Sequence, residues 1–237
     1  MGYRTLDWDT KLLGEKVAEI SVASLSTQEL GEILPEMQRN GIRLAYWLSS
    51  REMPEAEVKQ LCGLLVDRKT TFISNLDHIG HGSPTPPGTV KPFDSSMSMA
   101  DLERLALQSG EYSRFRVDPD FPEDKFVELY TTWIRKSVRK ELADEVLTVQ
   151  GVGEVVGFIT LNAENSSGEI GLIAVDETCR GRGYGEVLVK AAQDWFVAHG
   201  LKSAQVVTQG DNVPACKLYS KCGYSIEKIE YHYHFWL

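Results

Sequence analysis

Cysteine is scarce in this chain. The four residues Cys62, Cys179, Cys216 and Cys222 form no Cys-x-x-Cys pair and no spacing suited to zinc. A disulfide scaffold and a structural zinc module are excluded, and the cysteines read as free thiols of an intracellular protein. No apolar run approaches the roughly twenty residues that a bilayer crossing needs. The opening residues lack the apolar stretch of a secretion signal, so the expected location is the cytoplasm. Basic residues are outnumbered, with 25 Lys and Arg against 34 Asp and Glu and a net charge of -9. That balance excludes a broad surface for nucleic acid or anionic membrane.

What the chain has is a succession of strand and helix patterns interrupted once. Over residues 78–92 proline, glycine and serine dominate and no hydrophobic period survives, which reads as a linker. His78 and His81 lie there without a third ligand, so no metal is expected. Before the linker, residues 16–23 alternate as a strand, 27–39 repeat at helical spacing, and 42–49 form a second strand after the Asn40-Gly41 stop. Residues 55–65 read as helix and 70–75 as strand. A small N-terminal α/β domain over residues 1–90 is predicted, carrying no catalytic motif and serving as a wall of an acceptor site, a dimer contact or plain support.

After the linker, residues 99–107 predict a short helix, 111–122 a loop, and 123–140 a longer helix with Phe126, Leu129, Tyr130, Trp133 and Ile134 on one face. Residues 146–149 and 155–161 predict a hairpin around Gly151-Val152-Gly153. A strand at 170–175 then enters the turn Cys179-Arg180-Gly181-Arg182-Gly183-Tyr184-Gly185. The helix that follows buries Val187, Leu188, Ala191, Ala192, Trp195 and Phe196 and stops at His199-Gly200. A strand at 204–208, a helix at 213–221 and further strands at 225–236 complete the chain.

The glycine turn is chemically the richest segment. A strand entering a glycine-rich turn that opens a helix presents unpaired amide N–H groups, and Arg180 and Arg182 add positive potential in an acidic protein. Phosphate or pyrophosphate suits that geometry, although an ordinary βα turn rich in Gly and Arg looks the same in six residues. The spacing is neither G-x-G-x-x-G nor G-x-x-x-x-G-K-[ST]. It is R-x-x-G-x-G, as Arg180, Gly183 and Gly185, and it resembles the pyrophosphate loop of the GNAT N-acetyltransferases. A second motif of that family, N-x-x-A-x-x-L-Y-x-x-x-G-[FY], falls at Asn212, Ala215, Leu218, Tyr219, Gly223 and Tyr224.

The resemblance implies a GNAT acyltransferase fold over residues 96–237, an α/β (α+β) class with a mixed, mostly antiparallel sheet and a splayed central strand pair. It implies acetyl coenzyme A as cosubstrate, without a metal. In that family the backbone of the strand before the turn, here Leu172, Ile173, Ala174 and Val175, bonds the pantetheine arm, and Gly181, Arg182, Gly183, Tyr184 and Gly185 with Arg180 surround the diphosphate. Asn212 and Ala215 then lie beside the coenzyme, and Tyr219 is the general acid for the departing sulfur. A base must also take a proton from the amine. Glu169 and Glu111 are the candidates, with a chain of waters as the alternative.

Within the family, the run from Tyr112 to Pro119 and the helix after it resemble enzymes that acetylate the 4-amino group of a TDP-linked amino-deoxysugar. Arg114 and Arg116 could bind a diphosphate there, and Tyr112 or Phe115 could stack on a base or sugar face. Arg114 and Arg116 could equally pair with Asp118 and Asp120, leaving Phe115 as an anchor. The expected partner is a small-molecule amine. A peptide N-terminus, a lysine or a polyamine is the second reading, and a non-catalytic acyl-coenzyme-binding module is the third. A homodimer is compatible with the family, and no nucleic acid or membrane partner is expected.

Overall fold

Apolar spacing dictates where each element begins and ends, and the computed structural model describes the outcome for residues 2–77, 90–151, 153–164 and 166–237. Strands β1 (Tyr3–Thr5), β2 (Val17–Ile20), β3 (Leu44–Ser49) and β4 (Gly63–Asn75) alternate with helices α1 (Asp7–Leu13), α2 (Thr27–Arg39) and α3 (Glu55–Gln60). Strand β5 (Val90–Pro92) precedes α4 (Met99–Ser109), α5 (Arg114–Val117) and α6 (Glu123–Val138). Then follow β6 (Glu145–Gln150), β7 (Val155–Glu164), β8 (Ser167–Val175), α7 (Tyr184–Ala198), β9 (Ser203–Gln209), α8 (Val213–Lys221) and β10 (Ser225–Trp236).

Local chemistry accounts for the boundaries. Ser26 accepts from Glu29 N while the Glu29 carboxylate accepts from Ser26 N, a reciprocal box that starts α2 and contributes about 1 kcal/mol. Helix α3 ends at Gln60, short of the expected residue 65. Cys62 turns left-handed at φ 53°, and a Cβ on Gly63 would lie 2.4 Å from the Phe235 ring, so the chain enters β4 there instead. The loop expected at 111–122 contains the short helix α5. Of the proposed linker, residues 78–89 lie outside the described residues, while Val90, Lys91 and Pro92 form an edge strand paired with β6.

Among the described residues, ten strands form one mixed sheet in the order β1-β2-β3-β10-β4-β9-β8-β7-β6-β5. The pairs β2–β3 and β8–β9 run parallel, and the other neighbours run antiparallel. The division drawn at residues 78–92 is a division of sequence. In the sheet, β4 from before it lies between β10 and β9 from after it.

Alternate residues of one strand feed opposite layers. On β3, Leu44 and Tyr46 join the core under α1, α4, α5 and α6, while Ala45 and Trp47 join the core under α2 and α3. Helices α7 and α8 cover a further core containing Phe72, Leu161, Ile170 and Val206. Among the described residues no helix is long and apolar enough to cross a membrane, and no three His, Cys, Asp or Glu could hold a metal ion.

The position of β4 yields a test. Without it, β9 loses the ladder from Lys69↔Gln209 to Asn75↔Ser203 and β10 loses its partner on that side. A fragment of residues 96–237 is expected to show no cooperative thermal unfolding by circular dichroism. A sharp transition near that of the full chain would make the C-terminal segment an independent folding unit.

Candidate functional site

Strands β8 and β9 pair only from Ser167↔Ser203 to Ile170↔Val206 and then diverge. Strand β8 continues against β7, up to Val175↔Gly157, and β9 continues against β4, up to Gln209↔Lys69. Their facing edges are therefore left with unpaired peptide groups, which must find other partners. A bulge begins the divergence. The β7–β8 register shifts between Ile159 and Leu161, and Leu172 N donates to Thr160 Oγ1 at 2.7 Å. Gly171 permits this, since a Cβ there would meet Thr160 Oγ1 at 2.8 Å.

At the open end of the gap lies the glycine turn. Asp176 closes its start, accepting from Thr178 N at 3.0 Å while pairing with Arg104. Gly181 and Gly183 have φ of +77° and +86°, a region where a side chain is strained. Helix α7 begins at Tyr184, and its first inward bond is Val187 N to Gly183 O at 3.1 Å. The amides before Val187 are left pointing out of the helix end toward the gap, with the positive end of the helix dipole behind them. A Cβ on Gly185 would come within 3.1 Å of Leu218, so glycine lets α7 and α8 approach.

A cavity of about 430 Å³ joins gap and turn. Of the residues expected at the coenzyme, Ile173, Ala174, Val175, Arg180, Gly181, Gly183, Tyr184, Gly185, Asn212 and Ala215 line it. Arg180 bonds Val175 O at 3.2 Å and reaches Glu111 at 3.5 Å. Leu172 packs instead on the core under α4, and Arg182 bonds Thr178 O at 3.2 Å. Asn212 caps α8, its Oδ1 accepting from Ala215 N at 3.2 Å.

Tyr219 is only 2% exposed yet lines the cavity, wedged beside Phe72 and Tyr224. Burial pushes its phenol above the ordinary value, so it remains a proton donor at neutral pH. Glu169 stands in the closed part of the strand pair, opposite Asn162 and Gln205, and is not among the cavity residues. Glu111 and Tyr112 do line the cavity.

The other expected acceptor residues separate. Phe115 is buried against Phe121 and Trp133, and Arg116 pairs with Glu123 over the Phe126 ring. Arg114 turns inward, its guanidinium 4.1 Å from the Tyr46 ring centroid and Nη1 3.2 Å from His234 Nε2. Arginine only donates, so Nε2 accepts and the His234 proton is on Nδ1, donated to Asp118 Oδ2 at 2.6 Å. Trp236 Nε1 also donates to that oxygen at 3.0 Å. Burial, together with the Arg114 charge, outweighs Asp118 and lowers the His234 pKa to about 4. Burial tends to raise Asp118, but the bonds from His234 and Trp236 overcome it and hold the carboxyl below its usual range.

Sequence reasoning did not identify His234 or Asp118 as a pair, because 116 positions separate them. It also missed Lys221, which lines the cavity and shares Glu186 with Lys190; bonds from both lysines hold the Glu186 carboxyl down at about 2. Lysine four positions after glutamate on one helix was a readable sign of half this network.

A profile of the Acetyltransferase (GNAT) family matches residues 106–224, half of the chain. The chain belongs to that family. The chain is 32% identical over 132 residues to the dTDP-fucosamine acetyltransferase of Escherichia coli O6:H1, covering 55% of this chain and 56% of that protein. It is 40% identical over 78 residues to the streptothricin acetyltransferase of Escherichia coli, covering 32% of this chain and 45% of the relative. The chain thus spans about half the length of the curated relatives it matches. In fold it is similar to the GCN5-related N-acetyltransferase from Sphaerobacter thermophilus, with a TM-score of 0.60 at 14% identity over 98% of this chain and 75% of that one. Its mixed sheet carries the diverging strand pair and the glycine turn described above.

Two measurements probe the site. Gly183→Ala strains a left-handed residue by about 1–2 kcal/mol and is expected to weaken coenzyme A binding in calorimetry at least about tenfold; unchanged affinity would remove the turn from the binding site. His234 is held neutral with a pKa lowered to about 4, whereas the unfolded chain protonates it near its ordinary 6.5. Between those values the unfolded state binds the extra proton, so this contribution is present above 6.5 and is lost as pH falls toward 4. His234→Gln should reduce the slope of unfolding free energy against pH in that window by roughly 1.4 kcal/mol per pH unit.

Proposed function

We propose that this acetyltransferase moves the acetyl group of acetyl coenzyme A to a primary amine on a nucleotide-linked amino-deoxysugar, the 4-amino group of a TDP sugar. The observation that carries the donor half is the pair of unpaired edges on β8 and β9 leading to the amide nest at Gly181–Gly185. An extended arm bearing amides would complete the first, and a diphosphate the second. The peptide groups of Ile173, Ala174 and Val175 bond the arm. The amides of the turn and Arg180 hold the diphosphate, Arg180 exchanging its long contact with Glu111 for phosphate oxygens.

The amine attacks the thioester carbon, and negative charge grows first on the carbonyl oxygen and then on sulfur. Tyr219, neutral and buried, supplies the proton to sulfur as the C–S bond breaks. Asn212 keeps α8 in register with the cleft by capping it. Tyr112 and Glu111 border the mouth at which the acceptor arrives.

The acceptor half rests on similarity to the dTDP-fucosamine acetyltransferase. Similarity to the streptothricin acetyltransferase favours a second reading, in which the same chemistry serves another small-molecule amine. Thiol release with acetyl coenzyme A across a TDP-4-amino-4,6-dideoxyhexose, streptothricin, a lysine peptide and spermidine separates them. The sugar nucleotide is expected to exceed the others in kcat/KM at least about a hundredfold; comparable or faster turnover of another amine reverses the assignment. Tyr219→Phe should lower kcat about a hundredfold or more while leaving coenzyme A affinity within about threefold. Full turnover in that variant would take the proton-donor role from Tyr219, and a wild type inactive on every amine would leave a binding module.

A further inference from the structure

The sheet face beneath α5 carries a second polar cluster, which the donor chemistry leaves unused. Asp67 on β4 stands opposite His232 on β10, and Tyr46 on β3 stands opposite His234, with Arg114 over the Tyr46 ring. Asp67 and Tyr46 are 8% and 2% exposed. Among the described residues, Asp67 Oδ1, Tyr46 Oη and His232 Nδ1 are buried without a hydrogen-bond partner. Native interiors leave such atoms unpaired rarely, and three of them on neighbouring strands call for a polar partner such as a ligand or a water. The cluster adjoins the cleft. Gly210 N donates to Arg68 O at 2.8 Å where the chain leaves β9 for Asn212, and Tyr112, two residues before Arg114, lines the cleft wall.

We propose that this polar cluster receives the ammonium group of the acceptor and that Asp67 is the base that removes its proton, an inference resting on the reading that an amine is acetylated. The charges around Asp67 leave it without a dedicated cation. From α5, Arg114 lies between the Tyr46 and Phe115 rings and bonds His234, which is tied to Asp118. On β4 itself, Lys69 pairs with Glu230 of β10 at 3.8 Å. His232 is held neutral by burial and by the Arg114 charge. Asp211, just beyond β9 and paired with Arg68, adds negative charge near Asp67; Asp67 in turn acts on Tyr130 of α6, and Asp9 of α1 acts on Tyr46. Burial above all, reinforced by Asp211, outweighs Arg114 and Lys69 and raises the Asp67 carboxyl to about 7. A base poised there is available at neutral pH and strong enough to compete for an ammonium proton.

The protons balance. Asp67 takes one from the ammonium, freeing the nitrogen lone pair, and the C–N bond forms as the C–S bond breaks. Tyr219 gives its proton to sulfur. The second nitrogen proton, lost as the amide forms, restores the phenol through solvent, and Asp67 releases its own to water.

The test is the pH profile of thiol release for wild type and Asp67→Asn. The acceptor is TDP-4-amino-4,6-dideoxygalactose or, if that is not turned over, the fastest amine of the panel above. Asp67→Asn is expected to lose at least about a hundredfold in kcat/KM at neutral pH, to lose the limb near pH 7, and to regain activity only above the pKa of the amine, with coenzyme A affinity unchanged. The variant should melt no lower than wild type at alkaline pH, because asparagine removes a buried charge. A second readout uses wild type alone: the limb should stay fixed with temperature, as a carboxyl does, and a limb that falls on warming, as an imidazole does, overturns the assignment. Retention of the limb in Asp67→Asn with a loss under about threefold also overturns it, while leaving acetyl transfer intact. Failure of every amine sinks the amine reading and this proposal together.

Discussion

Beyond Ile170 and Val206 the two central parallel strands part, and the peptide groups on their facing edges lose each other as partners. Separation of this kind is costly unless each strand is held on its far side and something polar fills the gap. Strand β8 is held by β7 and by the bulge at Gly171, where Thr160 takes the displaced Leu172 amide. Strand β9 is held by β4, which is itself fixed by β10. The N-terminal segment thus supplies a strut for the cleft in addition to covering the far end of the sheet.

Charge is arranged around this gap in a way that overall composition conceals. The protein is acidic, yet the cleft gathers Arg180, Lys221 and the amide end of α7 on one side. Glu111 and Glu186 hold those cations in place with exposed, easily exchanged contacts. On the other face, Arg114 is bound inward through His234 and Asp118 and stacked on two aromatic rings. Arg180 thus keeps only exposed contacts at the cleft, whereas Arg114 organises a buried polar layer.

Much of the cleft lining was legible from local pattern. Gly181 and Gly183 adopt the left-handed conformations that a glycine-rich strand-to-helix turn requires, and Tyr219 and Asn212 fall where their motif places them along the cavity wall. Such features depend on neighbours a few positions away, and sequence spacing records those. The residues expected to meet an acceptor were far less legible. Arg114 and Arg116 sit two apart on one short helix, yet one faces the core and the other Glu123. Glu169 looked like a base at the mouth of a strand, but that end of the strand is the paired one.

Composition, periodicity and two short motifs determined by themselves a mixed α/β protein with a left-handed glycine turn at the start of a helix, because turn conformation, helix capping and amphipathic spacing are local properties of the chain. Which residues share a sheet face was decided only by the tertiary structure. Asp67, Tyr46, His232, His234 and Arg114 come from four elements, brought together by strand order and by the packing of α5 on the sheet. The order β3-β10-β4-β9 is a long-range pairing, settled by how the apolar faces of distant strands are buried together, and no spacing along the chain encodes it.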